Sequence, residues 1–152
     1  MTDRPPASDA TLRLNRTFAA RRERVFKAWT DREALRRWFA PSEEYTTRIF
    51  EMDLRAGGRY RLEMVSPAGE SFRLQGTYRQ VTPPEKLVYT WRWEHRTDPD
   101  AEETLVTVEF RDRGESTEVV LTHELFPSLE EKDKHTKGWA GCLDRLEKFT
   151  AR

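Results

Sequence analysis

The sequence predicts an α+β domain in which a curved antiparallel sheet of about seven strands packs around one long C-terminal helix. Apolar side chains alternate with polar ones over several segments, as expected of strands that bury one face. Glycine and proline pairs separate these segments and mark turns. The C-terminal segment instead carries apolar residues at steps of three and four, which is the spacing of a helix.

The chain length predicts one domain. A chain of 152 residues can build one sizeable core. Apolar and charged residues each make up 36% of the chain, and aromatic residues make up 11%, so large aromatic side chains must supply much of the burial. We assign residues 10–152 to the domain and residues 1–9, which contain Pro5 and Pro6, to a disordered tail.

Charge and motif content argue against several function classes. Basic and acidic residues both number 27, so the chain has no net field to attract nucleic acid. It has no long apolar run and no signal peptide, so we expect no membrane association and a cytoplasmic location. Cys142 is the single cysteine, and no metal or phosphate-binding motif occurs, so we expect no metal and no cofactor. An exposed edge strand could pair two chains into a homodimer.

The predicted strands are joined mostly as hairpins. Turn residues such as Gly57-Gly58 and Pro83-Pro84 separate them. In the second strand both parities carry apolar residues, including Ile49 and Phe50, so we expect a bulge there. The strands are predicted over residues 11–18, 45–54, 59–65, 71–81, 87–94, 104–111 and 117–125.

Two short helices are predicted between the first two strands, and a long one ends the chain. Val25 and Trp29 lie at helical spacing in the first helix, and Thr30 with Glu33 resembles a capping box that opens the second. Ser128 predicts the start of the long helix in the same way. Its apolar stripe runs through His135, Trp139, Cys142, Leu143, Leu146 and Phe149.

This layering predicts a cavity. A twisted sheet curves, and a straight helix contacts it along only part of its length. Gly138 borders the helix stripe, which indicates either a close backbone approach or empty space. We expect an apolar cavity of roughly 300–1,000 Å³, the usual size of a ligand site. The alternative is a core filled entirely by side chains, as most interiors are.

The candidate ligand-binding residues are those predicted to face inward around this cavity. His123 is the most informative, because an inward imidazole is either an acid, base or donor to a ligand, or a structural histidine with satisfied hydrogen bonds. No residue is assigned a catalytic role. The candidates are Trp38, Tyr60, Tyr78, Tyr89, Trp91, Trp93, Phe110, His123, Trp139, Cys142 and Leu143.

An ordered set of short motifs resembles one family. The motifs include the paired glycines at Gly57-Gly58 and the segment around Trp139. They occur at residues 18–20, 25–31, 35–41, 53–58, 76–78, 83–91, 121–124 and 138–146. In this order they resemble homologues of the activator of the Hsp90 ATPase, within the START-like superfamily, also called SRPBCC or the Bet v group. The resemblance extends over nearly the whole chain after residue 10.

The resemblance implies a helix-grip fold with an internal ligand cavity, and it leaves three functions open. The first, which we favour, is binding of a small hydrophobic or amphipathic molecule between the sheet and the C-terminal helix, without catalysis. The second is a cyclase, dehydratase or hydrolase that uses the same cavity. The third is a co-chaperone-like module that binds another protein. Fold alone does not choose among them.

Overall fold

The computed structural model describes residues 10–94 and 103–151. The predicted tail over residues 1–9 and most of the predicted loop over residues 95–103 lie outside the described residues. Within the described part, none of the helices combines the length and the apolar character needed to cross a bilayer.

The chain forms the predicted α+β arrangement. Two short helices separate the first two strands, and a 22-residue helix follows the last strand. The helices are α1 (Arg22–Thr30), α2 (Arg32–Trp38) and α3 (Leu129–Thr150). The strands are β1 (Leu12–Phe18), β2 (Thr46–Met52), β3 (Arg59–Val65), β4 (Ser71–Thr82), β5 (Lys86–Trp93), β6 (Thr104–Arg113) and β7 (Ser116–Glu124).

All seven strands belong to one antiparallel sheet with the order β1-β7-β6-β5-β4-β3-β2. Consecutive strands from β2 to β7 are neighbours in the sheet, as is usual for strands that follow one another along the chain. The first strand closes the far side by pairing with the last. The edges are therefore β1 and β2, and the predicted homodimer through an edge strand stays a prediction.

The bulge predicted in the second strand lies at Phe50. The register of β2 against β3 shifts between Ile49 and Glu51. Thr47 and Ile49 face the core before the shift, and Phe50 is 40% exposed. The extra residue changes the parity of the strand, so Met52 packs against the core after it. Ile49 before the shift and Met52 after it therefore both pack on the core, although they differ in parity.

Helices α1 and α2 cover the centre of the apolar face of the sheet. Phe26 and Trp29 of α1 both contact Phe110 of β6 edge to face, at ring-centroid distances of 5.2 and 5.7 Å. Trp38 of α2 packs on Trp29 at 4.9 Å and donates its indole N–H to the Ala28 carbonyl. These large rings fill the space between the sheet and the helices in this region.

Of the two helix caps predicted from the sequence, one is confirmed and the other is wrong. Ser128 caps α3 by accepting a hydrogen bond from the Glu131 N–H, as predicted. The predicted cap at Thr30 is wrong, because Thr30 still lies in the last turn of α1 and donates to the Phe26 carbonyl. Asp31 caps α2 instead, through the Ala34 N–H.

Candidate functional site

A cavity lies between the N-terminal half of α3, the end of the sheet that faces it, and the loop from α2 to β2. Its volume is about 230 Å³, below the expected range of roughly 300–1,000 Å³, because the rings of α1 and α2 fill the middle of the sheet. We call it the α3 cavity. It is lined by Phe39, Pro41, Tyr45, Met64, Phe72, Trp91, Trp93, Glu131, Lys134, His135, Gly138, Trp139 and Cys142.

Two glycines of α3 shape the cavity in opposite ways. A Cβ atom at Gly138 would meet no other group within 4 Å, so this glycine leaves empty space on the cavity wall. A Cβ at Gly141 would overlap the carbonyl oxygen of Pro41. Gly141 therefore lets the backbone of α3 approach the α2–β2 loop. The helix is held close at one turn and leaves a hollow at the preceding one.

Aromatic rings form the inner wall. Trp91 and Trp93 of β5 meet edge to face at a centroid distance of 5.4 Å, and Trp91 lies 5.3 Å from Trp139 of α3. Phe39 packs on both Trp91 and Trp139, at 6.0 and 5.8 Å. Each ring packs against its neighbours, so the protein's own contacts hold this wall in place.

His123 lies behind this wall and is fully buried. Its Nδ1 accepts a hydrogen bond from Trp139 Nε1 at 3.0 Å, and its Nε2 lies 2.7 Å from the Thr104 hydroxyl. That hydroxyl in turn donates to the Trp91 carbonyl. These partners define a neutral imidazole with its proton on Nε2. Burial, with a smaller effect of nearby His135, holds the pKa of His123 well below its ordinary value.

His135 is a second imidazole in contact with a tryptophan, and it lines the cavity. Trp93 donates its indole N–H to His135 Nε2 at 2.9 Å. The other nitrogen, Nδ1, lies 2.7 Å from the Glu131 backbone carbonyl, to which it donates. Each nitrogen thus has a fixed partner. Each of the two histidines therefore positions one tryptophan of the cavity wall.

Polar groups at the cavity lie on the first turns of α3. Lys134 is 60% exposed and its ammonium lies 3.5 Å from Glu130. Glu131 and His135 lie on the adjoining cavity-lining positions. Met64, Trp139 and Cys142 also line the cavity, and all three are buried. The cavity therefore has its mouth beside exposed Lys134, and its buried interior is apolar.

A second, much smaller void of about 20 Å³ lies deeper under α1 and α2. Tyr60, Tyr78 and Tyr89 line it, with rings 5.5 to 6.1 Å apart. Tyr60 donates its hydroxyl to the Thr90 carbonyl, and Tyr89 accepts from Trp29. Burial raises the pKa of all three phenols. The void has room for about one water molecule, which is too small for a ligand.

The predicted ligand-binding residues fall into three groups in the structure. Four of them line the α3 cavity: Trp91, Trp93, Trp139 and Cys142. Three line the small void: Tyr60, Tyr78 and Tyr89. The remaining four, which line neither, are Trp38, Phe110, His123 and Leu143.

Several cavity residues were absent from the predicted set. Phe39 and Pro41 lie in a loop, where no periodicity indicates direction. Tyr45, Met64 and Phe72 could have been found, because Thr47 pairs with Met64 and Met64 with Phe72 at one end of the sheet. The inward-facing residues next to the turn at residues 66–70 lie at this same end of the sheet. Among residues 10–94 and 103–151, no group of three or more side chains is arranged to hold a metal ion.

Comparison with protein families identifies relatives of the whole domain. The model of the family described as "Activator of Hsp90 ATPase homolog 1-like protein" matches residues 19–151. Among curated proteins, none matches this chain.

Solved structures agree in fold over nearly the whole chain. A protein from Chromobacterium violaceum superimposes with a TM-score of 0.86 at 27% identity, covering 94% of this chain and 98% of that one. The AHSA1 protein from Silicibacter pomeroyi gives 0.81 at 26% identity, covering 93% and 98%. A Mycobacterium smegmatis protein gives 0.81 at 18% identity, covering 97% and 94%, and at that identity it shows the fold alone.

Proposed function

The chain belongs to the family described as Activator of Hsp90 ATPase homolog 1-like protein, and from that premise we propose that it binds a small hydrophobic or amphipathic molecule in the α3 cavity. One observation carries the proposal: about 230 Å³ of space lies against buried aromatic and apolar side chains. Atoms that line unfilled space lack dispersion contacts on one side. An apolar guest of matching size would restore those contacts and leave water.

The distribution of polar groups supports an amphipathic guest. Exposed Lys134 lies at the mouth, with Glu131 and His135 on the same turns of α3, whereas Trp139 and Cys142 are buried in the interior. A molecule with a polar end would keep that end hydrated at the mouth while its apolar body displaces water inside. The apolar part of such a guest would lie against Trp91 and Trp139.

Binding is favoured over catalysis by the hydrogen bonds of the two described histidines. Both nitrogens of His123 and both nitrogens of His135 have protein partners. Acid or base chemistry at either ring would first require one of these bonds to break. The network instead suits a fixed wall against which a guest is held.

The family description names an activator of a chaperone ATPase, and this keeps protein binding as the alternative function. Over the described strands, the outer face of the sheet carries ion pairs such as Arg61–Glu94 and Arg73–Glu63. Such a face is well hydrated and gives a partner protein little apolar area to bury. The cavity therefore remains the favoured site.

Filling the cavity tests the proposal. Gly138→Leu places a side chain in the empty space, while Lys137→Leu adds the same side chain on the exposed face of the same helix. We expect indole, measured by titration calorimetry, to bind the wild type and Lys137→Leu alike and to lose at least about tenfold in affinity for Gly138→Leu. Native mass spectrometry of freshly purified wild-type protein would show whether a guest copurifies.

Four outcomes oppose the proposal. It fails if neither indole nor any copurified molecule binds the wild type, or if Gly138→Leu binds as tightly as the wild type while thermal unfolding shows it folded. Turnover of a copurified molecule would favour the enzyme instead. Stimulation of a chaperone ATPase by all three proteins alike would favour the interaction module.

A further inference from the structure

The Trp91 indole, on the cavity wall, is a hydrogen-bond donor that meets no acceptor in the part of the chain that the structure describes. Its side chain is 6% exposed, and its Nε1–H has no hydrogen-bond partner among the described residues. The chain contains five tryptophans, and the other four donate to a hydroxyl, a carbonyl and two imidazoles: Trp29, Trp38, Trp93 and Trp139. A buried unpaired donor is costly and rare. Trp91, which lines the cavity, is therefore the exception among the five tryptophans.

The two imidazoles in contact with Trp91 are already engaged. The His123 ring lies 5.0 Å from the Trp91 ring and the His135 ring 5.8 Å, between centroids. His123 accepts from Trp139 and shares its other nitrogen with Thr104. His135 accepts from Trp93 through Nε2, and its Nδ1–H faces a backbone carbonyl. Neither imidazole has a lone pair left for Trp91.

The remaining rings around Trp91 are poor acceptors. Trp93 and Trp139 carry only donor nitrogens, and Phe39 carries no polar atom. Their π faces accept hydrogen bonds weakly. None of the rings packed on Trp91 thus offers a good acceptor, and the space that remains beside the indole is the cavity that it lines.

We infer that the molecule bound in the α3 cavity carries a neutral carbonyl oxygen that accepts a hydrogen bond from Trp91 Nε1. This inference rests on the proposed function and narrows it to apolar molecules with a ketone, aldehyde, ester or amide group. The acceptor is neutral because Lys134, the cationic side chain in the lining, is largely exposed at the mouth and pairs with Glu130. A carboxylate placed beside Trp91 would be desolvated without a counter-ion.

A matched set of three probes tests the chemistry. Acetophenone and α-methylstyrene have nearly the same shape, but one has a carbonyl oxygen where the other has a methylene group. Benzoate carries a charge instead. By titration calorimetry on the wild-type protein we expect acetophenone to bind about tenfold more tightly than α-methylstyrene, the usual net effect of one buried hydrogen bond. Benzoate is expected to bind most weakly.

Trp91→Phe removes the donor and keeps an aromatic ring. It should reduce acetophenone affinity by about tenfold and leave α-methylstyrene affinity unchanged. If this variant does not fold, the indole N–H signals of the wild type in ¹⁵N–¹H spectra answer the same question. Acetophenone should shift the Trp91 signal downfield, and α-methylstyrene should not.

The outcomes separate this inference from the proposed function. Equal affinities for acetophenone and α-methylstyrene, with an unshifted Trp91 signal, overturn the inference while binding itself stands. Tighter binding of benzoate than of acetophenone overturns the neutral acceptor. If none of the three probes binds and the cavity-filling test also fails, the proposed function is rejected and the inference with it.

Discussion

Trp139 donates its indole N–H to Nδ1 of His123 at 3.0 Å and so joins the middle of α3 to the end of β7. The hydrogen bonds continue from His123 to the Thr104 hydroxyl on β6 and from there to the Trp91 carbonyl on β5. One polar chain therefore connects the helix to three adjacent strands directly behind the cavity wall. Because each polar atom that takes part in these bonds has its partner, they hold the rings of that wall in position.

This network predicts a loss of stability in mild acid. Burial holds the pKa of His123 well below its ordinary value of 6.5. A group whose pKa is lower in the folded state contributes stability that is present above the unfolded pKa and is lost as the pH falls. We expect His123 to reduce the free energy of unfolding by about 1.4 kcal/mol per pH unit below about pH 6.5. Urea unfolding at a series of pH values measures it.

His123→Gln is the control for this prediction. Glutamine keeps an oxygen that can accept from Trp139, but it does not titrate. The variant should be less stable than the wild type at neutral pH, because its fit is imperfect. The difference should shrink as the pH falls from about 6.5 to about 5. If the difference in free energy of unfolding between the two proteins stays constant over that range, protonation of His123 does not cause the loss of stability.

The sheet could be predicted well from the sequence because most strands bury one face. Tyr60, Leu62 and Met64 alternate with polar residues in β3, and all three are buried. The same reasoning indicated a bulge in β2 but could not choose the parity of Phe50. Its choice depends on the pairing with β3, which is a tertiary contact.

The cavity could be predicted only in part. Inward parity on β5 identified Trp91 and Trp93, and helical spacing identified Trp139. Parity does not say how far along a strand the covering helices reach, so Tyr60 was grouped with the cavity although α1 and α2 cover it. Phe39 lies after the end of α2, where the backbone follows no repeat.

The two glycines of α3 should respond oppositely to the same substitution. Gly138→Ala should raise the free energy of unfolding by about 1 kcal/mol, because alanine favours the helix and its Cβ enters empty space. Gly141→Ala should lower it despite the same propensity gain, because the added Cβ would overlap the Pro41 carbonyl. Thermal or urea unfolding of both variants measures the difference. Equal effects would mean that α3 does not pack on Pro41 as described.

The phenols of Tyr60, Tyr78 and Tyr89 should resist ionisation. Burial raises the pKa of each above the ordinary value of 10. Their raised pKa values contribute stability that is present below about pH 10 and is lost as the pH rises further. In an ultraviolet titration these three should ionise only together with unfolding, seen as a simultaneous loss of near-ultraviolet circular dichroism. Ionisation of all of them in the folded protein at about pH 10 would contradict their burial.

Cys142 gives a chemical test of the cavity interior. It lines the α3 cavity, and burial raises the pKa of its thiol to about 12. Because the thiolate is the reactive form, iodoacetamide should alkylate the folded protein far more slowly than the urea-unfolded protein at the same pH. A guest in the cavity should slow the reaction further by covering the sulfur, and Gly138→Leu should do so without a guest. Mass spectrometry gives both rates, and alkylation as fast as in urea would show that the thiol is freely accessible in the folded state.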